Sequence, residues 1–251
     1  PSDAQASADM ADASRDLTAE LVKLVQAMQE IKAEEDSRVN SYEIFVNQKQ
    51  THIRNSRGVD VTFSGFDCEI EVVTNSRKDD HEIEIYKDLR FSDKSAEKII
   101  AEVRGMFHTG RQRLNAVPTR QNEHADVLLS GDAVGRFFQY FAMHTNASYQ
   151  YTGVAKAKIG EAITGADADP LNIRLVPTLD GSAKNAPYDE TGMPVAERVL
   201  FENGICRSYW GSLQHAHYIG MKDTTSMNNM VVEGGSKTLD ELRSMPHIEI
   251  T

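Results

Sequence analysis

The chain has 251 residues, 40% hydrophobic and 26% charged, with a formal net charge of -11 and a pI near 5.2. This composition describes a globular protein with one large core or two modest ones. The acidic balance argues against a phosphate-binding surface as its main business. No apolar run approaches transmembrane length and the N-terminus carries no signal-like apolar stretch, so no membrane partner and a cytoplasmic location are expected. Cys68 and Cys206 form no C-x-x-C pair; a bridge would need an oxidising compartment, and reduced, buried thiols are the expectation. The first residue is Pro1 rather than methionine, which raises the expectation of a piece of something longer.

Residues 1–13 are rich in Ala, Ser and Asp and are expected to fray. Leu17, Leu21, Leu24, Met28 and Ile31 then recur at helical spacing, predicting an amphipathic helix from about Ser14 to Glu35. From Ser41 to Leu89 the period changes to two. Val59, Val61 and Phe63, then Phe66, Cys68, Ile70 and Val72, then Ile83 and Ile85 alternate with polar residues. That pattern predicts an antiparallel meander with one wet face, turning at Asn55-Ser56-Arg57-Gly58, Ser64-Gly65 and Asn75-Ser76-Arg77. Ser92 is placed to cap a second helix, roughly Asp93 to Phe107, with Ala96, Ile99, Ile100, Val103 and Phe107 inward. The polar stretch Thr109 to Glu123 reads as a connection between two halves.

Val127, Leu128 and Leu129 look like a short buried strand, and Ser130 or Asp132 can cap the helix that follows. On that helix Val134, Phe137, Phe138 and Phe141 share one face, which is expected to be buried. Asp167 to Pro170 is a turn before a strand at Leu171 to Val176, and Gly181 to Gly192 is loop-like throughout. Val195 to Phe201 and Ile205 to Trp210 flank Asn203-Gly204, a strong hairpin signal. The fold class expected is α+β: antiparallel sheets with a few packed helices, in two halves. Residues 1–120 form an N-terminal part of helix, meander and helix, and 121–251 a β-rich part containing the central helix.

The residues taken alone identify no reaction. His215-Ala216-His217 would align two rings on a strand, with Cys206 upstream, and a His/His/Cys set can bind zinc. A helix would instead turn those rings to different faces. There is no G-x-S-x-G elbow, no P-loop and no dinucleotide fingerprint. Asp189-Glu190 lies in a Gly- and Pro-bounded loop, where a turn-forming role is favoured.

Tyr188-Asp189-Glu190-Thr191-Gly192-Met193-Pro194, followed by Val199-Leu200-Phe201-Glu202-Asn203-Gly204-Ile205 and a stretch ending at Gly220, resembles the TldD/PmbA family. Asn55-Ser56-Arg57-Gly58 and the run from Glu233 to Leu242 resemble two further family segments, so the resemblance extends loosely from Leu21 to Leu242. Members are known as modulators of DNA gyrase and as peptide-processing metalloproteases. In catalytic members a helix in this position bears H-E-x-x-x-H, whose histidines hold zinc and whose glutamate activates water.

Aligned on Val127-Leu128-Leu129, that motif falls on Gln139-Tyr140-Phe141-Ala142-Met143-His144, where only the last histidine remains. No H-E-x-x-x-H occurs anywhere in the chain. The resemblance therefore implies the PmbA (TldE)-like branch: no catalytic residues, no cofactor of its own, and zinc only in a TldD-like protease partner. Unfolded peptide is the implied substrate, and a homo- or heterodimer the implied assembly. Two alternatives stand beside it. One is a metallopeptidase with an atypical zinc site drawing on His144, His215, His217 or Cys206; the other is a homodimeric binding or scaffold protein without activity. The resemblance also implies members longer at both ends, and the C-terminal region that supplies a cysteine ligand in the catalytic branch is expected to lie outside this sequence.

Overall fold

In a computed structural model, described over residues 7–9, 15–118, 121, 124–165, 168–245 and 248–251, the chain divides into two compact units. Unit 1 comprises Pro1–Thr119 with Thr178–Pro187, and unit 2 Arg120–Pro177 with Tyr188–Thr251. Helices and mainly antiparallel sheets make this an α+β chain.

Unit 1 contains β1 (Ser7–Asp9), α1 (Leu17–Gln29), β2 (Ser37–Arg54), β3 (Asp60–Lys78), β4 (His81–Phe91) and α2 (Ala96–Leu114). The expected meander is present, but with two turns rather than three. β3 runs unbroken through Ser64-Gly65, where Gly65 pairs with Lys49, and through Asn75-Ser76-Arg77, where Ser76 pairs with Ile83. The reversal falls instead at Asp79-Asp80, with Asp79 at φ 53, a conformation that short polar side chains tolerate. β2 covers one edge of β3; β4 (along Cys68–Lys78) and the parallel β1 (along Thr62–Ser64) share the other. The expectation of a frayed start thus fails at Ser7–Asp9; the remainder of 1–13 lies outside the described residues.

Alternation along β3 aims Phe66, Cys68, Ile70 and Val72 at one face, where they meet Leu24, Met28 and Ile31 and the Ile99, Val103, Met106 and Phe107 stripe of α2. Burying each such side chain contributes about 1.5–3 kcal/mol, so this layer dominates the unit's stability. α1 is shorter than its apolar spacing suggests. Asp16 caps it by accepting from the Thr18 and Ala19 N–H groups, and Ile31 enters the core from the turn beyond its end. Ser14, the expected start, lies outside the described residues. α2 is capped by Ser95, not Ser92, and runs two turns past Phe107 into the segment expected to be a connection. Arg111 holds it there through Glu34 and Asp36, and basic residues suit a helix C-terminus. The loop Thr178–Pro187 packs in this unit: Ser92 N–H donates to the Gly181 carbonyl at 2.9 Å, and the Asn185 side chain closes the loop on the Leu179 N–H and carbonyl.

Unit 2 contains β5 (Val127–Leu129), α3 (Asp132–His144), α4 (Ala147–Thr152), β6 (Ile173–Val176), β7 (Arg198–Glu202), β8 (Ile205–Cys206), α5 (Leu213–Tyr218), β9 (Asn229–Val232), α6 (Leu239–Ser244) and β10 (Ile248–Ile250). An antiparallel sheet in the order β8-β7-β6-β9 carries the core residues Ile173, Leu175, Leu200, Phe201 and Cys206. Phe138 and Phe141 of α3 pack onto them, with Phe141 edge-on to Phe201 at 6.3 Å. β7 and β8 are joined by Asn203 and Gly204, at φ 51 and 75, the primed two-residue turn that an Asn-Gly pair favours. β5 pairs in parallel with β10 and is half open, Val127 being 54% exposed, so it is not the buried strand expected. Neither Ser130 nor Asp132 caps α3. Its cap is Gly131, at φ 55, without a side-chain hydrogen bond. The expected turn before β6 begins at Asp167, outside the described residues.

Candidate functional site

The helix singled out by the sequence, α3, is only partly covered. Ala142 and His144 are its buried residues, whereas Phe137 is 48% and Tyr140 45% exposed, so the aromatic face expected to be sealed is half open. Its C-terminal end is fixed by Trp210, whose Nε1–H donates to the Ala142 carbonyl at 2.8 Å and whose backbone bonds Thr145 and Ala147. Gln150 adds a side-chain bond to the His144 carbonyl at 3.0 Å.

His144 itself is 9% exposed. Its Nδ1 lies 3.2 Å from the backbone nitrogen of Lys156, and a backbone N–H can only donate, so Nδ1 must present its lone pair. A neutral ring then carries its proton on Nε2. Burial, and secondarily the Lys156 ammonium, hold the imidazole below its ordinary value of 6.5, which favours that neutral form. Tyr140 stands edge-on to the ring at 4.3 Å, Tyr149 at 6.0 Å, and the Lys156 ammonium lies 5.8 Å from the Tyr140 ring centre. Gln139 points to solvent.

The other expected metal residues are not assembled. His215 and His217 sit on α5, a helix, where a two-residue step turns them by about 200°. The Nδ1 of His215 is 2.9 Å from Ser212 Oγ, and its ring packs against Tyr151 and Tyr218. Cys206 is fully buried in β8, its thiol pushed up to about 11 by burial and directed at the Ser208 carbonyl. Among the described residues, no group of three or more His, Cys, Asp or Glu side chains is placed to hold a metal ion.

A groove of about 430 Å³ opens beside Trp210, lined among others by Tyr188, Asp189, Glu190, Ser226 and Asn228. Asp189 builds its wall. One carboxylate oxygen accepts from the Thr191 N–H (2.8 Å), the Thr191 hydroxyl (2.7 Å) and the Met193 N–H (2.9 Å), leaving Glu190 facing outward. The groove itself escaped sequence reasoning; only the turn-forming composition of its wall was visible.

The family model described as PmbA/TldA metallopeptidase C-terminal domain matches residues 122–248, half of the chain. The chain belongs to the PmbA/TldD family. Solved structures that share its fold include the following three. TldE from Thermococcus kodakarensis is 20% identical with a TM-score of 0.66, covering 92% of this chain and 55% of that one. A candidate modulator of a DNA gyrase from Thermotoga maritima MSB8 is 17% identical with a TM-score of 0.69, covering 91% and 54%. A similar candidate from Bacteroides thetaiotaomicron VPI-5482 is 17% identical with a TM-score of 0.66, covering 97% and 56%. The chain thus spans about half the length of the structures it matches. No curated protein sequence matches it.

Against the zinc site of the family's catalytic members, the donor set on α3 does not fit. The Gln139 amide is a poor ligand, and the Tyr140 phenol is no substitute for a carboxylate base near neutral pH. The one remaining imidazole spends its Nδ1 lone pair on a backbone N–H and holds a proton on the other nitrogen. Zinc-binding histidines have the opposite polarity, one bare nitrogen on the metal and the other donating outward.

Proposed function

We propose that this chain is a non-catalytic, TldE-like subunit that pairs with a zinc-bearing TldD-like subunit in a peptide-processing protease. The observation that carries this reading is the Lys156 N–H to His144 Nδ1 bond, which takes up a lone pair that the last imidazole of the motif would otherwise offer a metal. The half-exposed rings of Phe137 and Tyr140 on the same helix, and of Tyr151 and Tyr218 on α4 and α5, are the kind of surface that partner chains cover. β9 is an edge strand entered directly from the groove residues Ser226, Met227 and Asn228, so an extended peptide can add to it by main-chain pairing. The net charge of -11 disfavours direct DNA contact, so any gyrase effect would run through peptide turnover. No helix among the described residues is long and apolar enough to cross a membrane.

Purification from the native source tests the proposal. A homologue carrying H-E-x-x-x-H is expected to copurify, with zinc and peptidase activity following that homologue. Stoichiometric zinc and peptide cleavage in this chain alone would overturn it and favour a self-sufficient metallopeptidase.

A further inference from the structure

We infer that His144, Lys156 and Tyr140 form a carboxylate-binding site at the C-terminal end of α3. Three hydrogen-bond donors sit on these neighbouring side chains without a hydrogen-bond acceptor among the described residues: the Nε2–H of His144, the ammonium of Lys156 and the phenol of Tyr140. The His144 proton is placed on Nε2 by the backbone N–H at Nδ1, so the ring keeps a donor there, and the ring is held because the residue is only 9% exposed. Lys156 stands 5.8 Å from the Tyr140 ring centre, and Tyr140 4.3 Å from the imidazole, so the three groups share one small patch.

The surrounding sequence has the matching charge. From Ala133 to Gly160 there is no Asp or Glu, while Arg136, Lys156 and Lys158 lie in that interval, in a chain that carries 38 acidic against 27 basic residues overall. Among the described residues no carboxylate pairs with Lys156, so a bound anion would supply the missing charge. A carboxylate accepts from several donors at once, and such charge-assisted bonds are the strong ones. Within the proposed peptide-handling role, on which this inference rests, the carboxylate is the free C-terminus of a peptide or an acidic side chain within it.

The test uses the full chain labelled with ¹⁵N-histidine and three peptides: N-acetyl trialanine as the free acid, the same peptide as the amide, and an amidated peptide with a central Glu. The free acid is expected to shift the His144 ring signals saturably and the plain amide to leave them in place. A response to the Glu peptide as well would extend the site to side-chain carboxylates and equally support it. Lys156→Gln, an exposed change that keeps the backbone donor, is expected to weaken binding about tenfold, and Tyr140→Phe to weaken it less. Equal response to all three peptides, no response to either carboxylate, or unchanged affinity in Lys156→Gln would overturn the site. Copurification with a zinc-bearing homologue is scored separately, so the subunit role can stand when the site falls.

Discussion

Gly110 of α2 rests directly on Ser76 of β3: a Cβ at position 110 would overlap the Ser76 hydroxyl. That hydroxyl is already shared with Ser37 across the ladder at 2.8 Å, so it cannot swing away freely. Gly110→Ala gains about 1 kcal/mol of helix propensity but forces helix and sheet apart, which costs about 1–3 kcal/mol. A net loss in urea unfolding is the expected result, and adding Ser76→Gly should restore part of it.

The Asn203-Gly204 turn is strict at its second position. Gly204 has φ 75, and a Cβ there would meet Thr164 Oγ1 at 2.5 Å. Gly204→Ala should cost about 1–2 kcal/mol from backbone strain alone, plus the clash. Asn203→Gly should be close to neutral, since glycine adopts positive φ without penalty. Thermal melting of the two variants separates them.

Stability should depend on His144 in mildly acidic solution. Its folded pKa lies below 6.5, for burial and the Lys156 charge disfavour the imidazolium. The unfolded chain therefore takes up this proton first as pH falls, so the contribution is fully present above about 6.5 and declines below it. Urea midpoints between about pH 5 and 8 should show a shallower acid loss in His144→Gln than in the parent chain.

Both thiols should be silent in the native protein. Cys68 and Cys206 are free, buried and each pushed up to about 11, chiefly by burial. Alkylation at pH 8 should label neither until the chain is unfolded, because thiolate is the reactive species. Rapid labelling of native protein would mean that a unit opens locally.

Much of unit 1 was legible because its sheet is amphipathic by period: Phe66, Cys68, Ile70 and Val72 announce their face, and Ile99, Val103 and Phe107 announce the helix that covers it. The turns were misread where small residues carried a packing role instead. Ser76 looks like a turn residue, yet it sits buried under Gly110, and Gly65 simply continues a strand. Cap choice between Ser92 and Ser95 depends on where the chain enters the helix, and the Ser92 backbone N–H is held by the Gly181 carbonyl, a partner 89 positions away that no local pattern reveals. On α3 the apolar stripe was visible, but a stripe does not say how far it is covered; Phe138 and Phe141 pack on the unit 2 core, while Phe137, edge-on to both, stays 48% exposed. His144 could be singled out from the motif alignment. Its tautomer could not, because that rests on the Lys156 backbone twelve positions on.

The β2–β3 ladder, with Arg54 opposite Asp60 at one end and Ser37 opposite Ser76 at the other, is long enough to misalign. A slide by two residues would keep every side chain on its proper face, so hydrophobicity alone does not forbid it. The irregularity at Asn40, the single extra residue between Val39 and Ser41, breaks that translational symmetry. Deleting Asn40 would thus free the hairpin to zip in neighbouring alignments, and refolding should acquire slow, kinetically trapped populations even if the final native state were preserved.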